Sequence, residues 1–98
     1  MVRIAVNNNR IAAFCRAHHI QKLAFFGSVL REDFHHDSDV DVLVWFEPKH
    51  IPGMFKLVAM EYELTDIIGR KVDLRTPEEL SRLFRNEVVS EAEVQYAA

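Results

Sequence analysis

Gly27 to Phe46 reads Gly-Ser-Val-Leu-Arg-Glu-Asp-Phe-His-His-Asp-Ser-Asp-Val-Asp-Val-Leu-Val-Trp-Phe, and the rest of the chain is organised around it. Two aspartates, Asp39 and Asp41, stand at the start of an apolar run. Residues two apart in a strand project to the same face, so these two carboxylates point together. Neighbouring carboxylates repel each other, and burying them is costly unless a cation lies between them. Mg²⁺ binds carboxylate oxygens together with substrate phosphates, so the pair predicts a metal site.

The start of this stretch has the features of a phosphate-binding turn. Gly27 follows a predicted strand and allows the backbone to approach a ligand closely. Ser28 is a favoured helix N-cap, whose hydroxyl and following amides can meet a phosphate. Arg31, one turn further on, can add a charge-assisted bond to the same anion. Neither half is specific alone, since Gly-Ser pairs are common and Asp-x-Asp also occurs at solvated strand ends and turns.

The two halves together resemble a known signature. Gly27-Ser28, ten intervening residues and Asp39-Val40-Asp41 match the Gly-Ser-x10-Asp-x-Asp pattern of the DNA polymerase beta-like nucleotidyltransferases. The stretch is most similar to the smallest members, the minimal nucleotidyltransferases that act as antitoxins to HEPN-domain toxins. The resemblance extends to Gly69-Arg70-Lys71-Val72-Asp73-Leu74 and, more loosely, to Glu91–Tyr96.

This resemblance implies an α/β (α+β) chain with the DNA polymerase beta-like nucleotidyltransferase fold, a small mixed sheet with helices packed on it. It implies in-line transfer of AMP from ATP, with Asp39, Asp41 and Asp73 as catalytic residues that hold two Mg²⁺ ions. Asp73 would also take the proton of the acceptor hydroxyl. From the residue pattern alone, Asp73 lies between Lys71 and Arg75 on one strand face and is explained equally well by a surface ion pair.

The resemblance also implies the nucleotide-binding residues. The Gly27 amide, Ser28 and Arg31 would bind the β- and γ-phosphates of the triphosphate. Ser38 belongs to this group as the residue that braces Asp39 by a hydrogen bond or caps the turn before it.

Larger relatives use an additional domain to hold the base and the acceptor, and few residues follow Asp73 here, so a partner is expected to complete the site. The resemblance implies a HEPN-domain toxin in a hetero-oligomer, with AMP passed to one of its tyrosines. Two alternatives stay open: a non-catalytic antitoxin of the same fold that acts by binding, and a transferase acting on a small molecule or a nucleic-acid end.

Composition narrows the class of protein. The 98 residues are 49% hydrophobic and 28% charged, as expected for one small folded domain over residues 1–98. A net charge of −3 argues against binding a long nucleic acid, which requires a basic surface. No apolar run approaches the ~18 residues of a membrane span and no signal peptide opens the chain, so we expect a cytoplasmic protein. Cys15, the only cysteine, is expected to pack in a helix rather than react.

Hydrophobic periodicity and turn residues predict the secondary structure. The Thr76–Glu79 capping box predicts a helix with Leu80, Leu83, Phe84 and Val88 on its apolar face. Glu91–Tyr96 either continues that helix or forms a last strand. The other predicted elements are a helix from Asn7 to His19, strands Lys22–Phe26 and Val40–Phe46, a helix from Met54 to Ile68 ended by Gly69, and a strand Lys71–Arg75.

Several polar and aromatic residues receive plainer interpretations. Glu61 and Glu63 are expected on a solvated helix face, because a helical i, i+2 pair faces apart. Neither His18-His19 nor His35-His36 is expected to bind a metal. Trp45 and Phe46 fit a core position, a partner contact or a stacking platform for a base.

Overall fold

The structure is a computed structural model that describes residues 4–31 and 38–98. Its four strands form one mixed sheet in the order β3-β2-β1-β4, with β2 antiparallel to β1, β1 antiparallel to β4, and β2 parallel to β3. This arrangement confirms the predicted small mixed sheet with helices packed on it. The elements in chain order are α1 (Asn8–Ala17), β1 (Ile20–Phe26), β2 (Val40–Phe46), α2 (Met54–Ile68), β3 (Val72–Arg75), α3 (Arg85–Glu91) and β4 (Glu93–Ala97), with 3-10 turns at Gly27–Leu30, Pro48–His50 and Pro77–Glu79.

The two inner strands carry the core. Consecutive residues of β1 and β2 are buried, which requires cover on both faces of the sheet, as the continuous apolar run of β2 predicted. Full burial of a side chain such as Phe25 stabilises the fold by roughly 1.5–3 kcal/mol. The buried residues are Ile20, Leu23, Ala24 and Phe25 of β1, Val40, Val42, Leu43 and Val44 of β2, Ile11, Phe14 and Cys15 of α1, Met60 and Leu64 of α2, Val72 and Leu74 of β3, and Val29 of the Gly27–Leu30 turn.

Burial of Cys15 confirms that this residue packs in the core. Its thiol is fully buried, and this burial raises its pKa to about 12, with the nearby charge of Arg16 acting weakly in the opposite direction. The thiol is therefore neutral at physiological pH, whereas the reactive form of a cysteine is the thiolate.

Both long helices begin and end as their sequences predicted. The Asn7 side chain accepts a hydrogen bond from the Arg10 amide at the start of α1. Gly69 ends α2 in the left-handed conformation, with φ of 80°. The spacing of Met54, Leu57, Val58, Leu64 and Ile68 predicts the buried face of α2 only in part, because Met54 and Val58 are exposed while Met60 is buried.

The predicted helix after Thr76 was wrong in length. The capping box forms, but it is followed only by a 3-10 turn, and Leu80 is extended. The Arg85 guanidinium donates hydrogen bonds to the carbonyls of Glu78 and Leu80, which closes the chain into an irregular turn before α3. Of the predicted apolar face, Leu83 and Phe84 are exposed.

The last segment is strand β4 rather than a continuation of the helix, which settles the two alternatives for Glu91–Tyr96. Among residues 4–31 and 38–98, no helix is long and apolar enough to cross a membrane.

Candidate active site

Three aspartates meet where β2 and β3 begin. Asp41 of β2 is level with Asp73 of the parallel strand β3, and Asp39 stands two residues before Asp41. The pKa of Asp41 is raised, first by its burial and then by the negative charges of Asp73 and Asp39. The third carboxylate therefore lies on the strand next to β2, beside Asp41.

The Gly27 turn is built against one of these carboxylates. Gly27 has a positive φ of 73°, and a Cβ placed on it would overlap Oδ2 of Asp41. The Ser28 backbone amide donates a hydrogen bond to the Asp41 carboxylate, which lowers the pKa of that group. The Ser28 hydroxyl lies 3.5 Å from the backbone carbonyl oxygen of Asp39.

Three cationic side chains surround the acidic group. Arg31 is exposed, and its charge lowers the pKa of Asp41. Lys71 Nζ lies 3.9 Å from Oδ2 of Asp39. Arg75 Nε lies 3.1 Å from Oδ1 of Asp73, and its terminal nitrogen donates to Oδ2 at 3.3 Å. Asp73 therefore lies beside Asp41 and also forms the ion pair that the residue pattern allowed.

The three aspartates are the type of ligand that Mg²⁺ prefers, but their oxygens lie further apart than the ligands of a single bound ion. Three carboxylates, one of them with a raised pKa, supply the oxygen ligands that Mg²⁺ prefers. Their oxygens do not all lie within 4.8 Å of one another. Mutual repulsion and the pairing of Asp73 with Arg75 account for this spacing. A cation would relieve the repulsion and draw the carboxylates together.

Helix α2 holds the strand that carries Asp73, a connection that the sequence analysis missed. Glu61 Oε2 accepts a hydrogen bond of 2.7 Å from the Leu74 amide, and Thr65 Oγ1 accepts one of 3.1 Å from the Val72 amide. These two amides flank Asp73 on the open edge of β3. The prediction that Glu61 is solvated was therefore wrong. The local pattern could not indicate this contact, because the Leu74 amide lies 13 residues further along the chain on another element. Glu63, by contrast, is half-exposed, and its Oε1 lies 3.1 Å from His18 Nε2.

A surface cleft of about 400 Å³ adjoins the Gly27 turn. Phe26, Gly27 and Arg31 line one side of it, and Phe84 and Val88 line part of the side formed around α3. Its volume lies within the range of small-molecule sites, roughly 300–1,000 Å³. The cleft thus offers space beside the residues expected to bind phosphate.

The remaining predicted residues lie as follows. Ser38 is half-buried directly before Asp39, and His35 and His36 lie outside the described residues. Trp45 and Phe46 lie at the other end of β2, where Lys22 Nζ is 4.7 Å from the centre of the Trp45 ring. At ~3.3 Å per residue, Trp45 is roughly 13 Å along the strand from Asp41.

Comparison with known proteins finds a nucleotidyltransferase family profile and a relative described as a protein adenylyltransferase. A family profile described as "Nucleotidyltransferase domain" matches residues 9–95. A candidate protein adenylyltransferase of Methanocaldococcus jannaschii is 33% identical over 76 residues, which are 76% of this chain and 78% of that protein.

Two solved structures share the fold. A candidate minimal nucleotidyltransferase superposes with a TM-score of 0.71 at 28% identity, covering 87% of this chain and 85% of the other. A chain in the complex of a tri-AMPylated Shewanella oneidensis HEPN toxin with its MNT antitoxin superposes with a TM-score of 0.67 at 19% identity, covering 93% and 70%. The family match over residues 9–95, with the Gly27 turn and the three aspartates inside it, shows that the chain belongs to the nucleotidyltransferase family.

Proposed function

We propose that this protein is an antitoxin that transfers AMP from ATP to a tyrosine of a cognate HEPN-domain toxin. The observation that carries the proposal is the meeting of Asp39, Asp41 and Asp73 beside the Gly27 turn in a member of the nucleotidyltransferase family. The relative described as a protein adenylyltransferase supports the choice of AMP, and the AMPylated toxin complex supports the choice of partner.

In this proposal, Asp39, Asp41 and Asp73 would hold two Mg²⁺ ions. When bound, these ions would neutralise charge on the triphosphate and favour ionisation of the acceptor hydroxyl. Asp73 would accept the proton of the tyrosine hydroxyl while the tyrosine oxygen bonds to the α-phosphorus of ATP. The bond from that phosphorus to the bridging oxygen of the β-phosphate would break, and pyrophosphate would leave.

The residues of the turn would position the leaving group. The Gly27 amide, the Ser28 hydroxyl and Arg31 would bind the β- and γ-phosphates, and Ser38 would brace Asp39. The cleft of about 400 Å³ beside Gly27 and Arg31 is where the rest of the nucleotide would lie. Such positioning and charge neutralisation supply most of the catalysis in phosphoryl and nucleotidyl transfer.

Transfer of label tests the proposal directly. The protein is incubated with α-labelled ATP, Mg²⁺ and the product of the neighbouring gene, and the label on that product is measured. We expect label on a tyrosine of the neighbour, and loss of labelling with Asp39→Asn plus Asp41→Asn. Asp66→Asn is the matched control, because Asp66 is an exposed carboxylate of α2 that pairs with Arg10.

The alternatives give different results when neutralisation of the toxin is measured beside the transfer of label. Neutralisation of the toxin by the Asp39→Asn, Asp41→Asn variant, without any labelling, would show an antitoxin that acts by binding. Label on a small molecule or nucleic-acid end, with none on the neighbour, would show a transferase with a different acceptor. Either result would overturn the proposed function.

A further inference from the structure

Two histidines and a glutamate meet at the opposite end of the sheet from the aspartates. His19 lies in the turn between α1 and β1, Glu47 directly follows β2, and His50 ends the next 3-10 turn. His19 Nδ1 is 3.3 Å from Glu47 Oε2, and His50 Nε2 is 4.0 Å from the same oxygen. One ligand atom from each residue lies within 4.8 Å of the other two. The sequence analysis missed this group because its members come from two separate turns.

The backbone fixes the group in place. The Glu47 amide donates to the His19 carbonyl at 3.0 Å, which ties the two turns together. The His50 amide donates to the Glu47 carbonyl at 2.9 Å, and residues three apart in a 3-10 turn lie above one another. His19 has a positive φ of 57°, a conformation that is uncommon for residues other than glycine.

The separations between the ligand atoms, but not the orientations of the rings, suit a tetrahedral metal site. Zn²⁺ bonds of 2.0–2.1 Å to nitrogen and oxygen place neighbouring ligand atoms about 3.3 Å apart. The His19–Glu47 pair already has this separation. The two imidazole rings are stacked, with centroids 3.7 Å apart and planes 11° from parallel. The His50 ring must therefore tilt to face a common ion, and the half-exposed side chains leave it free to do so.

We propose that His19, Glu47 and His50 bind a divalent transition-metal ion of the Zn²⁺ class, with water completing the coordination. Two imidazoles with one carboxylate are typical of Zn²⁺ sites that keep an open position, whereas Mg²⁺ prefers oxygen ligands alone. The site is separate from the aspartates, because the seven-residue strands β1 and β2 place roughly 20 Å between the two ends of the sheet. A bound ion would fasten the α1–β1 turn to the connection after β2.

Calorimetric titration with Zn²⁺ tests this site. The full chain is titrated at about pH 7.5 in excess Mg²⁺, so that the aspartates are occupied by Mg²⁺ before Zn²⁺ is added. We expect one strong site whose affinity falls by at least about tenfold in His19→Asn and in His50→Gln. Asparagine is chosen at residue 19 because it tolerates positive φ, so the variant loses the imidazole and keeps the turn.

Two controls separate this site from other histidines. His18→Gln changes the neighbouring residue, whose ring contacts Phe14 and Glu63 instead, and should leave Zn²⁺ affinity unchanged. His35→Gln with His36→Gln should also leave it unchanged. Thermal unfolding without metal shows whether each variant folds. Unchanged affinity in folded His19→Asn and His50→Gln, or loss of Zn²⁺ binding in either control, would overturn the proposal. The readout is metal binding, so it stands apart from the proposed transfer reaction.

Discussion

A side chain at residue 27 would meet two obstacles, and a comparison with residue 69 separates them. Both glycines have positive φ, but only at Gly27 would a Cβ overlap another group, Oδ2 of Asp41. We expect Gly27→Ala and Gly69→Ala each to lower the free energy of unfolding by about 1–2 kcal/mol, the cost of the left-handed conformation. Gly27→Ala should in addition displace the Asp41 carboxylate and abolish nucleotidyl transfer.

Denaturant unfolding and label transfer measure the two effects on the same samples. Transfer at the wild-type rate by folded Gly27→Ala protein would show that contact with residue 27 does not position Asp41. Loss of transfer in Gly69→Ala to the same extent would show that backbone strain alone accounts for the effect.

The raised pKa of Asp41 predicts that this residue destabilises the metal-free fold. A carboxyl group whose pKa is higher in the folded state binds its proton more tightly there than in the unfolded chain. Its contribution to stability therefore declines as the pH rises from its ordinary pKa, about 3.9, through its folded pKa. Above that range, we expect Asp41→Asn to have a higher Tm than the wild type without divalent ions.

The Tm difference between Asp41→Asn and the wild type should shrink as the pH falls through the pKa of Asp41. Adding Mg²⁺ should raise the Tm of the wild type more than that of the variant. Asp66→Asn, which alters an exposed carboxylate, should show neither trend. A lower Tm for Asp41→Asn at neutral pH would contradict the prediction.

At the scale of single residues, the sequence predicted the site residues that lie close to one another along the chain. Asp39 and Asp41 are two residues apart at the start of β2, and ten residues separate them from Gly27-Ser28. The position of Asp73 came from the family resemblance, since alternation alone allowed an ion pair. The contact of Glu61 with β3 could not be predicted, because it depends on how α2 lies against the sheet.

At the scale of elements, α2 supplies hydrogen-bond acceptors to the open edge of β3. The amides of Val72 and Leu74 bond to Thr65 and Glu61, so the segment that carries Asp73 is held on both sides. Glu61→Ala removes one acceptor and should cost about 1 kcal/mol of stability. We expect Glu61 to act as a positioning residue, so the Mg²⁺ concentration needed for half-maximal transfer should rise as well.

Glu61→Gln, which retains a carbonyl oxygen, should restore most of the Mg²⁺ dependence. Glu63→Ala on the same helix removes only the pair with His18 and should leave this dependence unchanged. If Glu61→Ala lowers stability and leaves the Mg²⁺ dependence as it is in the wild type, the contact is structural only.

The sequence predicted best the elements that have a strong periodic pattern and clear end signals. Helices α1 and α2 and strands β1, β2 and β3 follow from apolar periodicity, capping residues and Gly69. The Thr76 capping box predicted where a turn begins but not its length. That length depends on the Arg85 guanidinium, which reaches back to carbonyls of the preceding segment. The nature of the last segment depended on pairing with β1, about 70 residues earlier in the chain.

At the scale of the whole molecule, the order β3-β2-β1-β4 places the last strand beside β1, one of the two inner strands that contain the core. Strand β1 contains three consecutive buried residues, and one of its two edges is paired only with β4. Helix α1 packs against both of these strands. The fold therefore depends on a five-residue segment whose Tyr96 packs against the core.

A chain that ends at Ala92 should consequently lose its native fold. Without β4, strand β1 would become an edge with unpaired amides and carbonyls beside its buried residues, a template for pairing with other chains. We expect aggregation in size-exclusion chromatography and loss of cooperative thermal unfolding. A chain that ends at Tyr96 is the matched control, because it keeps three of the four register pairs between β1 and β4 and should remain folded. A monomeric, cooperatively unfolding chain ending at Ala92 would show that α1 and the three remaining strands are sufficient for the fold.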